Sequence, residues 1–217
     1  MAVVSERLAD VWARIGAACR SVGREPKDVC LVAVSKNQPV SAMLEAYEAG
    51  QRDFGESRWQ ELRDKVALMP SDVTWHFVGK LQTNKARAVA EAGCVVHALE
   101  SVGQLEVFAR QPRVVPAFIE VNVAEEPKKS GVLLTTLDDY ARLVSQCERV
   151  DCVGLMTIGP THATPEQSRL VYRRLAEEAL RRGLRKLSMG MSSDYVEAVQ
   201  EGATHVRVGS AMFGARL

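Results

Sequence analysis

The sequence has almost no net charge. Its 28 lysines and arginines stand against 27 aspartates and glutamates, which leaves +1 over 217 residues. Without an excess of one sign there is no net field to draw the chain onto a phosphate backbone or an anionic membrane, so neither nucleic acid nor membrane is an expected partner. A long apolar run is also missing. Even residues 114 to 123 are interrupted by Pro116 and Glu120, far short of the roughly 20 residues that cross a bilayer. At the N-terminus Glu6, Arg7, Asp10 and Arg14 stand where a secretory signal needs its apolar region, so no export is expected and the cytoplasm is the expected compartment.

Number and spacing speak against cysteine chemistry. The five cysteines, Cys19, Cys30, Cys94, Cys147 and Cys152, are odd in number, lie among apolar neighbours and form no CxxC pair, as buried reduced thiols do in a reducing compartment. Cys147 and Cys152 read as a helix end and a strand start. His76, His97, His162 and His205 have no HExxH context and no CxxC companion, so no zinc site is expected. No linker rich in proline, glycine or serine divides the chain. With 47% hydrophobic and 25% charged residues it reads as one globular domain over residues 1–217, with a leading helix within 1–25 and the remainder from 28 onward.

What is present is a regular alternation. From Ser5 to about Gly23, Leu8, Val11, Trp12, Ile15 and Cys19 recur at helical spacing. Short apolar, β-branched runs then appear at 29 to 35, 52 to 55, 73 to 79, 94 to 98, 114 to 123, 152 to 157, 185 to 188 and 204 to 209. Helical patterns follow them at 40 to 49, 57 to 68, 84 to 92, 101 to 110, 135 to 148, 166 to 182, 193 to 201 and, as a short turn, 210 to 215. Eight strands each followed by a helix predict an α/β fold, a single-domain (β/α)8 TIM barrel whose extra N-terminal helix caps one end. The alternative is a doubly wound open sheet, but no G-x-G-x-x-G turn follows the first strand.

In such a barrel the chemistry sits at the C-terminal ends of the strands. The first strand ends in Ser35-Lys36-Asn37, the second in Gly55-Glu56-Ser57, and the third carries His76, Gly79 and Lys80. The fifth delivers Glu120 and Asn122; the seventh runs into Met191, Ser192 and Ser193, and the eighth into Arg207, Gly209 and Ser210. Lys36 closes an apolar run, where a desolvated amine is suited to forming an imine with a carbonyl, although a lysine that snorkels to solvent fits the same place. The loops SMGMSSD and GSAMFG supply hydroxyls, a glycine and helix starts after the two strands where barrels commonly hold a phosphate. Each also fits a simple capping turn. Arg207 alternates with Val206 and Val208 and so faces away from them, either into the barrel or outward to a helix carboxylate. Lysine and phosphate loops together suggest a phosphorylated aldehyde, and pyridoxal 5′-phosphate (PLP) has both handles plus a ring nitrogen that Arg207 could address.

Six segments carry a resemblance: LVAVSK (31 to 36), FGESRWQE (54 to 61), WHFVGKLQTNKAR (75 to 87), IEVNVAEEPKKSG (119 to 131), GLMTIGP (154 to 160) and LSMGMSSDYVEAVQEGATHVRVGSAMFGAR (187 to 216). In this order they resemble the pyridoxal phosphate homeostasis protein family, a single-domain barrel similar to the N-terminal domain of alanine racemase. The resemblance implies that Lys36 carries PLP as an internal aldimine, that Ser192, Gly209 and Ser210 hold the phosphate, and that Arg207 faces the pyridine nitrogen. Met191, Ser57 and His76 are expected to line the cofactor. Where the family usually reads FGEN this chain has FGES, which puts a direct contact from Ser57 in doubt.

An arginine at the ring nitrogen donates only, leaving that nitrogen unprotonated and the ring a weak electron sink. The racemase relatives compensate with a tyrosine from a separate β domain, for which 217 residues filled by eight βα units leave no room. Tyr47, Tyr140, Tyr172 and Tyr195 all fall in predicted helices. The expectation is a non-catalytic, monomeric PLP-binding protein of vitamin B6 homeostasis that serves PLP-dependent apoenzymes. A racemase or related PLP enzyme is the alternative, and a PLP-free Schiff-base aldolase a third.

Overall fold

The structure is a computed structural model and describes residues 3–161 and 163–214. His162 and residue 215, the end of the expected final turn, lie outside the described residues. Among the described residues nine strands form in chain order: β1 (Cys30–Val34), β2 (Asp53–Glu56), β3 (Thr74–Phe77), β4 (Val95–Leu99), β5 (Val115–Asn122), β6 (Val132–Leu133), β7 (Val150–Met156), β8 (Lys186–Met191) and β9 (His205–Val208). The helices are α1 (Val3–Ser21), α2 (Val40–Glu48), α3 (Trp59–Val66), α4 (Thr83–Glu91), α5 (Val102–Phe108), α6 (Leu137–Ser145), α7 (Pro165–Arg181), α8 (Tyr195–Gln200) and α9 (Ser210–Phe213).

The sheet order is β4-β3-β2-β1-β9-β8-β7-β5-β6, and β4 also pairs with β5. That last pairing closes eight parallel strands into a barrel and excludes the open doubly wound sheet. β6 is the strand the periodicity does not show. It is two residues long and extends β5 at Val121 and Asn122, too short to carry any alternation. β8 runs three residues beyond its apolar core, to Met191, because Met189 and Gly190 still face buried surroundings.

Strands covered on both faces explain the short β-branched runs. Their outer faces pack Phe54, Leu62, Phe108, Leu137, Leu155 and Tyr172, all fully buried, between sheet and helices. α7 begins with a capping box: Thr164 Oγ1 accepts from the Gln167 N–H while Gln167 Oε1 accepts from the Thr164 N–H, with Pro165 at the first helical position. The leading helix differs from expectation. α1 packs its buried Leu8, Val11, Ile15 and Cys19 against α2, α8 and α9, within the helical ring, instead of capping an end. The reason lies in α9, a single turn that leaves the apolar outer face beside β9 and β1 uncovered.

In-register neighbours in a parallel sheet share a face, so the pairs Val32↔Arg207, Cys30↔His205, Gly55↔His76 and Ser188↔His205 all turn inward. The interior therefore holds an unusual number of polar groups. β7 and β8 approach so closely that a Cβ at Gly154 would lie 1.9 Å from the Lys186 carbonyl oxygen. Gly154→Ala is expected to lower stability by about 2 kcal/mol, the cost of overpacking against backbone that cannot yield. Urea denaturation checks this, and an unchanged midpoint would contradict the close approach.

Candidate cofactor site

The C-terminal ends of β1, β2, β3, β8 and β9 surround a cavity of about 380 Å³. Lys36, Ser57, Met191, Ser192, Arg207, Gly209 and Ser210 all line it, between apolar walls from Val34, Val78 and Ile158. Seven of the eight residues singled out in the sequence thus meet in one space. His76 does not join them. It is the third residue of β3 and points to the barrel axis below the mouth, where its Nδ1 lies 2.9 Å from His97 Nε2 and its Nε2 lies 2.9 Å from Asp53 Oδ1. Alternation along a strand gives the face a side chain takes, and says little about its depth.

Lys36 stands two residues past the end of β1, half-buried, in a loop held from both sides by α3. On one flank Lys65 Nζ donates to the Ser35 carbonyl at 2.7 Å and to Glu56 Oε1 at 2.7 Å. On the other, the Asn37 N–H donates to Glu61 Oε2 at 2.8 Å, with Asn37 in the left-handed region at φ 59°. Ser35 Oγ completes the clamp by donating to Glu56 Oε1 at 2.7 Å. Burial pushes the Glu56 carboxyl up, and the bonds from Lys65 and Ser35 work against that. Sequence reasoning missed this clamp, since a lone lysine on a polar helix looks like a solvated face.

The other end of the cavity is built for an acceptor oxygen. Backbone N–H groups of Gly209 and Ala211 both point at Ser192 Oγ, at 3.1 and 3.3 Å. A Cβ on Gly209 would sit 3.1 Å from the Val34 carbonyl oxygen, so this close approach favours glycine. The β8–α8 loop that carries Ser192 is fixed by Asp194, whose Oδ1 accepts the Met191 N–H at 2.8 Å and whose Oδ2 accepts the Tyr172 hydroxyl at 2.7 Å. Arg207 points into the barrel, only 5% exposed. Its Nη1 donates to Ser188 Oγ at 2.5 Å and its Nη2 to the Thr157 carbonyl at 2.9 Å. Burial draws its pKa down, and the nearby Tyr172, Glu120 and Asp194 oppose that.

A second cavity of about 240 Å³ adjoins the first across Val78, Gly79 and Ile158. Glu120 lines it, and burial followed by the charge of Glu100 pushes its carboxyl up to about 7. Lys129 closes one side, donating to Glu126 Oε1 at 2.7 Å and to the Gly159 carbonyl at 2.9 Å. At the opposite end of the barrel the donor atoms of Cys30, Asp53 and His76 lie within 4.8 Å of one another, a grouping their sequence spacing does not reveal. Burial and Asp53 raise the Cys30 thiol to about 12, so it is a protonated donor and the group is satisfied internally.

An amine, a guanidinium and a hydroxyl–amide cradle at the C-terminal mouth of a closed parallel barrel define a barrel of the kind that begins alanine racemases. Residues 13–217 match the family model described as the alanine racemase N-terminal domain. The chain is 41% identical to the pyridoxal phosphate homeostasis protein of Pseudomonas aeruginosa, covering all of this chain and 97% of the relative, and 37% identical to that of Escherichia coli K12, covering 98% and 97%. Among solved structures it is similar to PipY of Synechococcus elongatus with PLP bound, at a TM-score of 0.83 and 36% identity over 97% of this chain and 100% of that one. Alanine racemase of Corynebacterium glutamicum shares the fold, with a TM-score of 0.68 at 14% identity over 94% of this chain and 60% of that one. The chain belongs to the pyridoxal phosphate homeostasis protein family.

Glu120 makes a measurable contribution to pH dependence. Its folded pKa of about 7 lies above the ordinary glutamate value, so the native state binds the extra proton, and the stability this confers is present at low pH and lost as pH rises through about 7. Glu120→Gln is expected to remove that part of the slope and to be more stable than the parent by about 2 kcal/mol at pH 8. Denaturation curves of both proteins from pH 5 to pH 8 check it; parallel pH profiles would show that Glu120 is ionised throughout.

Proposed function

We propose that the cavity binds PLP, that Lys36 Nζ is the covalent attachment point for its aldehyde, and that the chain holds and releases the cofactor in the cytoplasm without catalysing a reaction of its own. The convergence of Lys36, Arg207 and the Ser192 cradle in one cavity of about 380 Å³ carries this reading. The space fits a small cofactor, since such sites range from roughly 300 to 1,000 Å³. When bound, PLP supplies an aldehyde that takes up an amine and a conjugated ring that withdraws electrons.

Each residue has a task matched to its chemistry. The α3 clamp fixes the backbone on both sides of Lys36, so its amine is presented from a rigid turn. The N–H groups of Gly209 and Ala211, which now share Ser192 Oγ, offer themselves with that hydroxyl and Ser210 to phosphate oxygens. Ser57 lines the cavity, where its short hydroxyl stands in place of the usual amide. Arg207 faces the ring nitrogen as a donor and has no proton to give it, because a guanidinium stays protonated. The electron-withdrawing power that PLP enzymes exploit is thereby reduced, which supports a carrier. The homeostasis name borne by the relatives supports release to PLP-dependent apoenzymes, and a monomer is the proposed working unit.

One observation favours an enzyme. Glu120, buried beside the cavity with a carboxyl near neutrality, has the properties of an acid/base group. Two measurements decide. PLP-loaded protein is expected to show a visible absorption band that Lys36→Ala abolishes; a band retained in the variant would move the attachment elsewhere. Loaded protein mixed with each amino acid in D₂O is expected to exchange no α-protons by NMR beyond the rate of free PLP, and exchange at enzyme-like rates would overturn the carrier.

A further inference from the structure

(β/α)8 barrels are usually filled by branched aliphatic side chains. Here five polar side chains stand in single file between the floor and the mouth. Asp53, the first residue of β2, keeps its carboxylate 34% exposed at the floor, with Oδ1 2.9 Å from His76 Nε2. His76 Nδ1 lies 2.9 Å from His97 Nε2, and His97 Nδ1 lies 2.7 Å from Ser188 Oγ. Arg207 Nη1 donates to that same Oγ at 2.5 Å. From His76 to Arg207 no member is more than 5% exposed.

The two ends fix the direction. Burial works against an ionised Asp53, but the hydrogen bonds from His76 and the Cys30 thiol bring its pKa down overall. An ionised carboxylate only accepts, so His76 Nε2 carries a proton. Burial, then the proximity of His76 and Arg207, keeps His97 neutral, and it can donate from one ring nitrogen only. With the proton on Nε2, His97 donates to His76 Nδ1 and accepts the Ser188 hydroxyl, whose oxygen accepts Arg207; every proton in the file has an acceptor. The reverse arrangement needs a charged His76 and aims two donors at Ser188 Oγ, leaving the hydroxyl proton no place in the file. His205 stands 6.3 Å from His76 and 6.2 Å from His97, ring to ring, but is not a member. Its Nδ1 engages Thr204 Oγ1, and burial holds it neutral with a pKa of about 3.

We propose that Asp53, His76, His97 and Ser188 form a one-way hydrogen-bond relay that positions Arg207, making the carboxylate at the barrel floor the remote anchor of the guanidinium at the mouth. Asp53, His76 and His97 are positioning residues: none of them lines the cavity. The relay commits Nη1 to Ser188 while Nη2 is held by Thr157, so the guanidinium meets the cavity in one orientation. Its effect on the cofactor rests on the reading of Arg207 as partner of the ring nitrogen.

Histidine ¹⁵N NMR of the cofactor-free protein tests the relay directly. His97 is expected as a neutral ring with the proton on Nε2, and His76 with Nε2 donating to Asp53 and Nδ1 accepting from His97. An imidazolium at either one, or a proton on Nδ1 of His97, would overturn it. A second arm compares PLP-loaded His97→Phe, which keeps the ring and removes both nitrogens, with Ser188→Ala and Arg207→Glu. His97→Phe and Ser188→Ala are expected to move the visible band in the same direction and to weaken PLP binding about threefold to tenfold, the worth of one hydrogen bond. If Arg207→Glu moves the band and His97→Phe leaves both band and affinity unchanged, the relay fails while the reading of Arg207 stands. If Arg207→Glu leaves the band in place, the reading of Arg207 fails, and the NMR result decides the relay alone.

Discussion

A guanidinium carried into the barrel axis by β9 is the constraint around which the interior is arranged. A buried charge costs several kcal/mol unless its hydrogen-bonding groups are met and its charge balanced. Arg207 is met by the Ser188 hydroxyl of the neighbouring β8 and by the Thr157 carbonyl just past β7. Meeting it makes Ser188 a donor in its turn, which calls for His97, then His76, then a carboxylate. The polar axis follows from one arginine, and it accounts for a barrel filled partly by imidazoles in place of valines and leucines.

Lys36 poses the opposite problem. The structure fixes the backbone on both sides of it, and its side chain lines the cavity. Lys65 and Glu61, one turn apart on α3, hold Ser35 and Asn37 on either side of it. Closure of the barrel then brings the two ends of the chain together, because β1 pairs with β9. The pairing of β1 with β9 sets the amine after the first strand and the guanidinium of the last at one cavity, which ties the site to the topology.

Much of this was legible in the residues. Strands buried on both faces show as short β-branched runs, so all eight barrel strands could be located, and the alternation through Val206, Arg207 and Val208 set Arg207 on the face opposite the valines, with inward or outward left to the fold. Depth was not legible. His76 is one residue short of the end of β3, but the cavity is lined by Val78 and Gly79 beyond that end, which leaves His76 on the axis beneath it. Asp53 and His97 gave no signal, since each acquires its partner through strand pairing between distant segments. Lys65 was hidden for the same reason: its partners belong to β1 and β2, and its own helix looks solvated. The two-residue β6 and the role of α1 in covering the face that the single-turn α9 leaves open depend on packing that no local pattern encodes.

A lysine clamped through its backbone and a donor-only arginine line one cavity in a barrel whose fold is shared with racemase domains. The proposed carrier role turns on Lys36 as the attachment point. Borohydride reduction of the PLP-loaded protein, followed by peptide mass mapping, tests that most directly. The pyridoxyl mass is predicted on the peptide containing Lys36 and on no other at one equivalent of cofactor. An adduct on Lys80, Lys85 or Lys129 with Lys36 unmodified would contradict it.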